Sequence, residues 1–206
     1  FFTRRGGVSE GRFAALNCSL NGHDDPDRVA RNRALVADAM GRPVLSLAAL
    51  HQVHGVDVAV LRDAPPTGGR PRADGAVTDR PGLLLGIVTA DCGPVLFADR
   101  VAGVVGACHA GWRGAAAGVL EETLAAMVSL GARPERVVAV LGPCIRQPSY
   151  EVGPDLRAEV ADDRWFAPTE EGEHVRHERI ASNQEPVIRD DFAELTDRID
   201  KITFVS

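Results

Sequence analysis

The chain has 206 residues, of which 45% are hydrophobic and 25% are charged, and this composition is typical of a soluble globular domain. Its formal net charge is −6, so it lacks the excess of positive charge with which proteins bind a nucleic acid backbone. The longest apolar run, Leu83 to Ala90, is much shorter than the roughly 18 residues that cross a bilayer. These features argue against nucleic acid and membrane partners and leave small molecules as the expected ligands.

The four cysteines, at positions 18, 92, 108 and 144, are too few in a chain of this length for a disulfide framework. No basic segment followed by an apolar stretch resembles a secretory leader. We therefore expect a cytoplasmic protein whose residues 1–206 form a single catalytic domain.

The predicted elements begin with a helix from Asp25 to Met40, with Pro26 in its first turn and Gly41 after its end. Five apolar runs with strand character follow: Val44 to Leu50, Val56 to Leu61, Leu83 to Thr89, Pro94 to Ala98 and Val104 to His109. A second helix is predicted from Ala115 to Leu130, and a last strand from Val137 to Leu141. The Pro- and Gly-rich stretch from Ala64 to Arg72 reads as a mobile loop.

The strands also predict how the sheets are built. Most of them are apolar on both faces, which indicates sheets covered on both sides. The connection from Asp99 to Gly103 is too short for a helical crossover, so the strands on either side of it should be antiparallel. The fold class predicted is α+β, a layered domain with mixed sheets.

Three segments place reactive side chains at strand ends: HQVHG (residues 51–55), TADCGP (89–94) and GACHAGWRG (106–114). Residues two apart on an extended chain share a face, so His54 lies with Gln52 while His51 points away. By the same alternation Cys108 and His109 diverge, and Cys108 is expected in the core, as is Cys18.

One thiol and two imidazoles, from Cys92, His54 and His109, would make a set of three protein ligands around a divalent metal. Three ligands leave a fourth position open, which is typical of catalytic zinc sites. Copper also accepts this ligand set. From the residues alone, a buried thiol beside two hydrogen-bonded histidines is the competing interpretation.

The neighbours of these residues suggest further roles. Asp91 could orient a ligand or receive a proton. Trp112 and Arg113 would place an apolar ring and an anion donor at the start of a helix beside the site, although core packing and a surface ion pair explain them equally well. Gln52 could donate from its amide to a reacting oxygen.

Several motifs together resemble the bacterial polyphenol-oxidase or laccase-domain family, whose members are also described as purine nucleoside phosphorylases. The resemblance covers about residues 1–155, and ADC together with HAGWRG is its most specific part. The motifs are FFTRRGGVS, DDPDRVARNR, HQVHG, DGAVTD, TADCGPVLFAD, GACHAGWRG and LGPCI with SYEVG. From about His177 onward the chain diverges from the family's ending.

The resemblance implies an α-β-β-α layered sandwich with largely antiparallel sheets and a zinc ion held by His54, Cys92 and His109. It also implies phosphorolysis of adenosine, inosine, guanosine and methylthioadenosine, with deamination of adenosine as a second reaction. The partners expected are therefore purine nucleosides and phosphate, and the chain is expected to be a monomer or a weak homo-oligomer.

Roles for individual residues follow from the same resemblance. Arg5 and Arg113 are candidates to hold phosphate, and Asp91 to move protons during catalysis. Asn17, Trp112 and Cys144 are candidates to contact the substrate, although a buried structural thiol explains Cys144 equally well.

Three other functions stay open. The first is copper-dependent oxidation of phenols, although six histidines are few for a complete multicopper oxidase. The second is a cysteine hydrolase or amidase with Cys92 as nucleophile, His109 as base and Gln52 or a backbone amide as oxyanion donor. The third is a binding module without activity.

Overall fold

The structure is a computed structural model that describes residues 1–62, 69–146 and 149–150, together with the backbone of two short strands at 166–167 and 187–188. Its chain divides into two compact units, Phe1–Cys144 and Ile145–Ser206. Among the described residues, no helix has both the length and the apolar character needed to span a bilayer. The predicted loop residues 64–68 and the chain from His177, apart from the strand at 187–188, lie outside the described residues.

The first long helix, α1, runs from Pro26 to Ala39. The side chain of Asp25 caps it by accepting hydrogen bonds from the amides of Asp27 and Arg28. Four residues of α1 are buried: Val29, Asn32, Arg33 and Ala37. The helix predicted from the capping and apolar pattern is therefore confirmed to within one residue at each end.

A five-stranded sheet forms the centre of the first unit. In spatial order its strands are β2 (Val58–Val60), β3 (Gly75–Thr78), β6 (Val104–Ala110), β5 (Gly93–Asp99) and β7 (Val138–Leu141). The neighbours β2 and β3 are parallel, and the three other pairs are antiparallel. The antiparallel pairing of β5 with β6 confirms what the short connection between them predicts.

A second, two-stranded sheet pairs β1 (Leu47–Ala49) with β4 (Leu84–Gly86) in parallel. A buried apolar cluster joins this sheet to the larger one, and its members are Ala48, Leu50, Leu61, Ala73 and Ala76. On the opposite face of the larger sheet, Gly75 and Gly106 let the backbone approach Thr123 and Met127 closely. The mixed, largely antiparallel sheets and the flanking helices confirm the α+β sandwich.

The prediction of one helix from Ala115 to Leu130 is wrong. Helix α2 begins earlier, at Trp112, and ends at Ala117, and α3 runs from Val119 to Ser129. Gly118 separates them with φ 98°, a left-handed conformation that breaks the helical hydrogen-bond pattern.

The predicted strands are also too long at several ends. Val44–Ser46 forms a 3₁₀ turn, so β1 begins only at Leu47, and β4 is limited to Leu84–Gly86. Strand β3 is absent from the prediction because its GAVT sequence is short and half small residues. At the edge of the sheet, Val138 and Val140 of β7 are exposed, so the expectation of full coverage on both faces fails there.

In the second unit the structure describes a parallel pair, β8 (Phe166–Ala167) and β9 (Val187–Ile188). The pair shows that the chain forms some sheet structure after the motifs end.

Candidate metal centre

The side chains of His54, Cys92 and His109 meet at one end of the five-stranded sheet. One ligand atom from each residue lies within 4.8 Å of the ligand atoms of the other two. The register of β5 and β6 accounts for two of them, because Pro94 pairs with His109 and places Cys92 just beyond the paired residues. His109 is buried, Cys92 is half-buried and His54 is exposed, so the site opens to solvent on the side of His54.

A buried carboxylate that the sequence analysis did not identify, Asp74, positions two of the three ligands. Its Oδ1 lies 2.7 Å from Nδ1 of His109 and accepts a hydrogen bond from the backbone amide of His54 at 2.9 Å. Its Oδ2 accepts the amides of Val53 and Gly55 at 3.0 and 2.8 Å. Asp74 therefore holds the HQVHG loop and the imidazole of His109 with the same side chain. The signal in the sequence was its place immediately before the small-residue strand β3.

The charge of Asp74 also determines which nitrogen of His109 faces the centre. Burial alone would raise the pKa of Asp74, but the hydrogen bonds from His109 and from three backbone amides lower it below its ordinary value. An ionised carboxylate requires a proton on Nδ1 of His109, which leaves Nε2 with its lone pair available. This is the arrangement in which outer carboxylates orient histidine ligands in metal sites.

The backbone around the centre is adapted to bring the ligands together. His54 has φ 61°, a left-handed conformation that is uncommon outside glycine. The hydrogen bonds that three backbone amides donate to Asp74 stabilise this conformation. A Cβ on Gly111 would lie 2.8 Å from Cδ2 of His54 and 3.2 Å from Sγ of Cys92. Glycine at position 111 thus leaves space for both ligands.

The donor set is chemically suited to a divalent metal. Burial, followed by the charges of Asp91 and Asp74 and by Cys144, raises the pKa of the Cys92 thiol. The thiol is then protonated at neutral pH unless a cation replaces its proton, as thiolate metal ligands require. Two imidazoles and one thiolate fit zinc with a fourth position open, and they also fit copper.

A cavity of about 430 Å³ adjoins the three ligands. Of the predicted residues, those that line it are Asn17, Gln52, His54, Asp91, Cys92 and His109. Its lining also includes Cys18, Arg33 and Arg70, which the sequence analysis did not place in the site. The volume is within the range of about 300–1,000 Å³ that is usual for small-molecule sites.

The other predicted substrate residues lie outside this lining. Arg5 is exposed, and the guanidinium of Arg113 lies 4.1 Å from the centre of the Trp112 ring, at the start of α2. Cys144 is half-buried and close enough to influence the pKa of Cys92. Their contacts with substrate stay predictions.

Two amide side chains that line the cavity make hydrogen bonds within the protein. Gln52 donates a hydrogen bond from Nε2 to the Val88 carbonyl at 2.8 Å, and its Oε1 accepts one from the Val88 backbone amide at 3.0 Å. Asn17 donates to Oδ2 of Asp24 at 2.9 Å and accepts the Ser19 amide at 3.1 Å. Both residues therefore hold the walls of the cavity in place.

The cysteines outside the centre differ in burial. Cys108 is fully buried, which confirms its expected place in the core, and burial raises its pKa to about 12. Cys18 is half-buried rather than part of the core, because it lies in the cavity wall.

Comparison with known proteins gives a consistent picture. A family model described as multi-copper polyphenol oxidoreductase laccase matches residues 1–191, which extends past the motifs and into the segment from His177. A Deinococcus radiodurans protein named purine nucleoside phosphorylase is 50% identical over 159 residues, which are 77% of this chain and 61% of that protein. A Streptomyces coelicolor protein also named purine nucleoside phosphorylase is 43% identical over 193 residues, which are 87% of this chain and 79% of that protein.

Solved structures show the same fold. The Bacillus licheniformis protein YfiH superposes with a TM-score of 0.72 at 31% identity, covering 78% of this chain and 63% of that one. YlmD from Geobacillus stearothermophilus superposes with a TM-score of 0.71 at 32% identity, covering 76% of this chain and 61% of that one. The chain thus spans less than two thirds of the length of several proteins that it matches.

Proposed function

The chain belongs to the multi-copper polyphenol oxidoreductase laccase family, and from this premise we propose that it is a zinc-dependent purine nucleoside phosphorylase. The observation that carries the proposal is the cluster of His54, Cys92 and His109 at the wall of a cavity of about 430 Å³. The names of the Deinococcus and Streptomyces relatives support the reaction class. The free thiols of all four cysteines agree with the cytoplasmic location that we expect.

In this proposal the protein's residues divide the tasks of binding and proton transfer. His54, Cys92 and His109 would hold the zinc ion, which when bound supplies a Lewis acid at its open position. A phosphate oxygen forms the new bond to C1′ of the ribose while the bond from C1′ to the purine nitrogen breaks. The purine leaves with the electron pair and takes up a proton, and the exposed carboxyl of Asp91 in the cavity wall is our candidate to relay it.

We propose adenosine, inosine, guanosine and methylthioadenosine as the substrates of phosphorolysis. We also propose deamination of adenosine as a second reaction of this site. Water replaces the amino group at C6 of adenine, and the departing ammonia takes up a proton. The carboxyl of Asp91 again faces the cavity in which that proton moves.

Copper chemistry is the second candidate, because the description of the family names it. In the described ranges, one group of at least three potential ligands was found, formed by His54, Cys92 and His109. A multicopper oxidase needs several copper ions and correspondingly many histidines, whereas the whole chain has six. We therefore favour a single zinc ion.

The direct test incubates the zinc-loaded protein with inosine and inorganic phosphate. We expect hypoxanthine and ribose 1-phosphate in equal amounts, with product formation dependent on both phosphate and metal. His54→Gln should abolish the reaction, while His51→Gln, a matched change in the same loop at a residue outside the cavity lining, should retain it.

Two outcomes would contradict the proposal. One is stoichiometric zinc binding without release of base from any of the four nucleosides. The other is stoichiometric copper in protein purified without added metal, together with oxidation of a phenol substrate, which would favour the oxidase.

A further inference from the structure

Arg33 is a buried cation that faces the cavity. It lies on the inner side of α1 with 9% of its surface exposed, and it forms part of the cavity lining. Its hydrogen bond is a long one, from Nη1 to the Cys18 carbonyl at 3.5 Å. A buried guanidinium ordinarily has a carboxylate or several good acceptors, because it loses its hydration on burial.

No carboxylate of the described residues lies within 4.0 Å of the Arg33 guanidinium. The adjacent Cys18 thiol does not supply the missing negative charge. Burial raises the pKa of Cys18 despite the nearby positive charge of Arg33, so the thiol is neutral at physiological pH. The charge of Arg33 is therefore left without a counter-ion from this part of the protein.

A second guanidinium, that of Arg70, lines the same cavity. It donates to two neutral oxygens, the Leu50 carbonyl at 3.3 Å and Oδ1 of Asn21 at 2.8 Å. Burial lowers the pKa of Arg33 most, the Cys18 thiol acts in the opposite direction, and the charge of Arg70 lowers it further. The negative group in the lining is the carboxyl of Asp91, and no ion pair joins it to either arginine within the described residues.

We propose that Arg33 and Arg70 form the subsite that binds a phosphate group in this cavity. Guanidinium groups match the oxygens of phosphate with paired donors, and two of them together offset its double charge. The subsite rests on the proposed function, which requires phosphate near the metal centre, and Arg33, Arg70 and the three metal ligands share one cavity. The phosphate comes either from solution as the inorganic ion or on a nucleotide, and the test separates these sources.

The test measures binding of inorganic phosphate and of adenosine 5′-monophosphate by calorimetry, using the full chain and the variants Arg70→Gln and Arg33→Lys. Each substitution removes paired donors, and we expect the Kd for phosphate to rise about tenfold or more. Arg72→Gln and Arg31→Lys are the matched controls, because both residues are exposed and lie outside the lining. In the phosphorolysis assay the KM for phosphate should rise while the KM for inosine stays within about twofold.

Weaker binding of inorganic phosphate in the two variants, with unchanged controls, would support a subsite for the free ion. Weaker binding of adenosine 5′-monophosphate alone would support a subsite for nucleotide phosphate. Unchanged binding of both ligands in Arg70→Gln would overturn the proposal, and this partly exposed position keeps the test valid should Arg33→Lys fail to fold. Because binding is measured without turnover, arginine-dependent phosphate binding in a protein without phosphorolysis would refute the proposed function and leave the subsite standing.

Discussion

Asp74 is the residue on which the geometry of the metal centre depends most. Its two oxygens accept four hydrogen bonds, three from backbone amides and one from the imidazole of His109. An asparagine in its place would point an NH₂ group at one of these donors, so at least one contact would become a repulsion between two donors. The side chain therefore has to be a carboxylate.

We predict that Asp74→Asn lowers zinc affinity about 10- to 100-fold, the usual range for loss of an outer carboxylate. Competition with a chromophoric chelator measures this change. Asp57→Asn, a change at an exposed carboxylate in the same region, should leave the affinity unaltered. Equal affinities for the Asp74 variant and the wild type would mean that the carboxylate does not orient His109.

We further predict that Gly111→Ala weakens metal binding at least tenfold while the protein stays folded. The added methyl group would come within 2.8 Å of the His54 ring and must push it away from Cys92, although φ −71° at this position suits alanine. Gly22→Ala is the control, since its Cβ would meet nothing closer than 3.9 Å. The same chelator competition would contradict the prediction if both variants bound zinc equally well.

The sequence was sufficient to select three candidate ligands, which the structure brings into one cluster, but not the residues that support them. Their types are restricted by metal chemistry and their positions by the ends of strands, so His54, Cys92 and His109 stand out. Asp74 looks like an ordinary turn residue before a strand, and Arg33 like one more charge on a helix with several arginines. Only the packing of distant segments shows that both side chains are buried beside the site.

At the scale of elements, the break between α2 and α3 depends on one glycine. Gly118 has φ 98°. Its backbone amide donates a hydrogen bond to the Ala115 carbonyl, which ends α2 before α3 begins. We predict that Gly118→Ala destabilises the protein by about 1–2 kcal/mol, the cost of a left-handed conformation for an ordinary residue. Gly118→Asn should cost less, because asparagine adopts this conformation more readily. Urea unfolding measures both, and a stabilising alanine would show that the helix can run through this position.

Periodicity could not have revealed this break. The apolar positions continue in helical register on both sides of Gly118, and an isolated glycine inside such a pattern only lowers the confidence in a helix. The connection from Asp99 to Gly103 was more informative, because its length leaves an antiparallel pairing as the natural geometry. Chain length between elements was thus a better guide to topology than the apolar pattern was to element ends.

Asp99 connects several elements and contributes to the stability of the whole molecule. It accepts hydrogen bonds from the amides of Val101, Ala102 and Arg133 and from the guanidinium of Arg136, at 2.7–3.0 Å. Burial alone would raise its pKa, but these hydrogen bonds lower it far below its ordinary value. The side chain joins the turn after β5 to the segment that leads into β7.

We predict that the protein loses stability as the pH falls below about 4. The pKa values of Asp74 and Asp99 are lower in the folded protein than the roughly 3.9 of an unfolded aspartate, so the unfolded state binds more protons between these values. The stabilisation is complete above about pH 5 and declines as the pH falls towards the folded pKa values. Urea unfolding at pH 3 to 7 measures it. Asp99→Asn should flatten the dependence of the free energy of unfolding on pH, whereas Asp38→Asn, at an exposed position, should leave it as in the wild type. An unchanged pH dependence in Asp99→Asn would show that Asp99 does not cause the loss of stability.

The four hydrogen bonds to Asp74 join the two histidine segments through protein atoms alone. We therefore expect the two histidines to be positioned when the chain folds, before an ion binds, in contrast to a zinc finger. Exchange of one cation for another should then be reversible in the native protein.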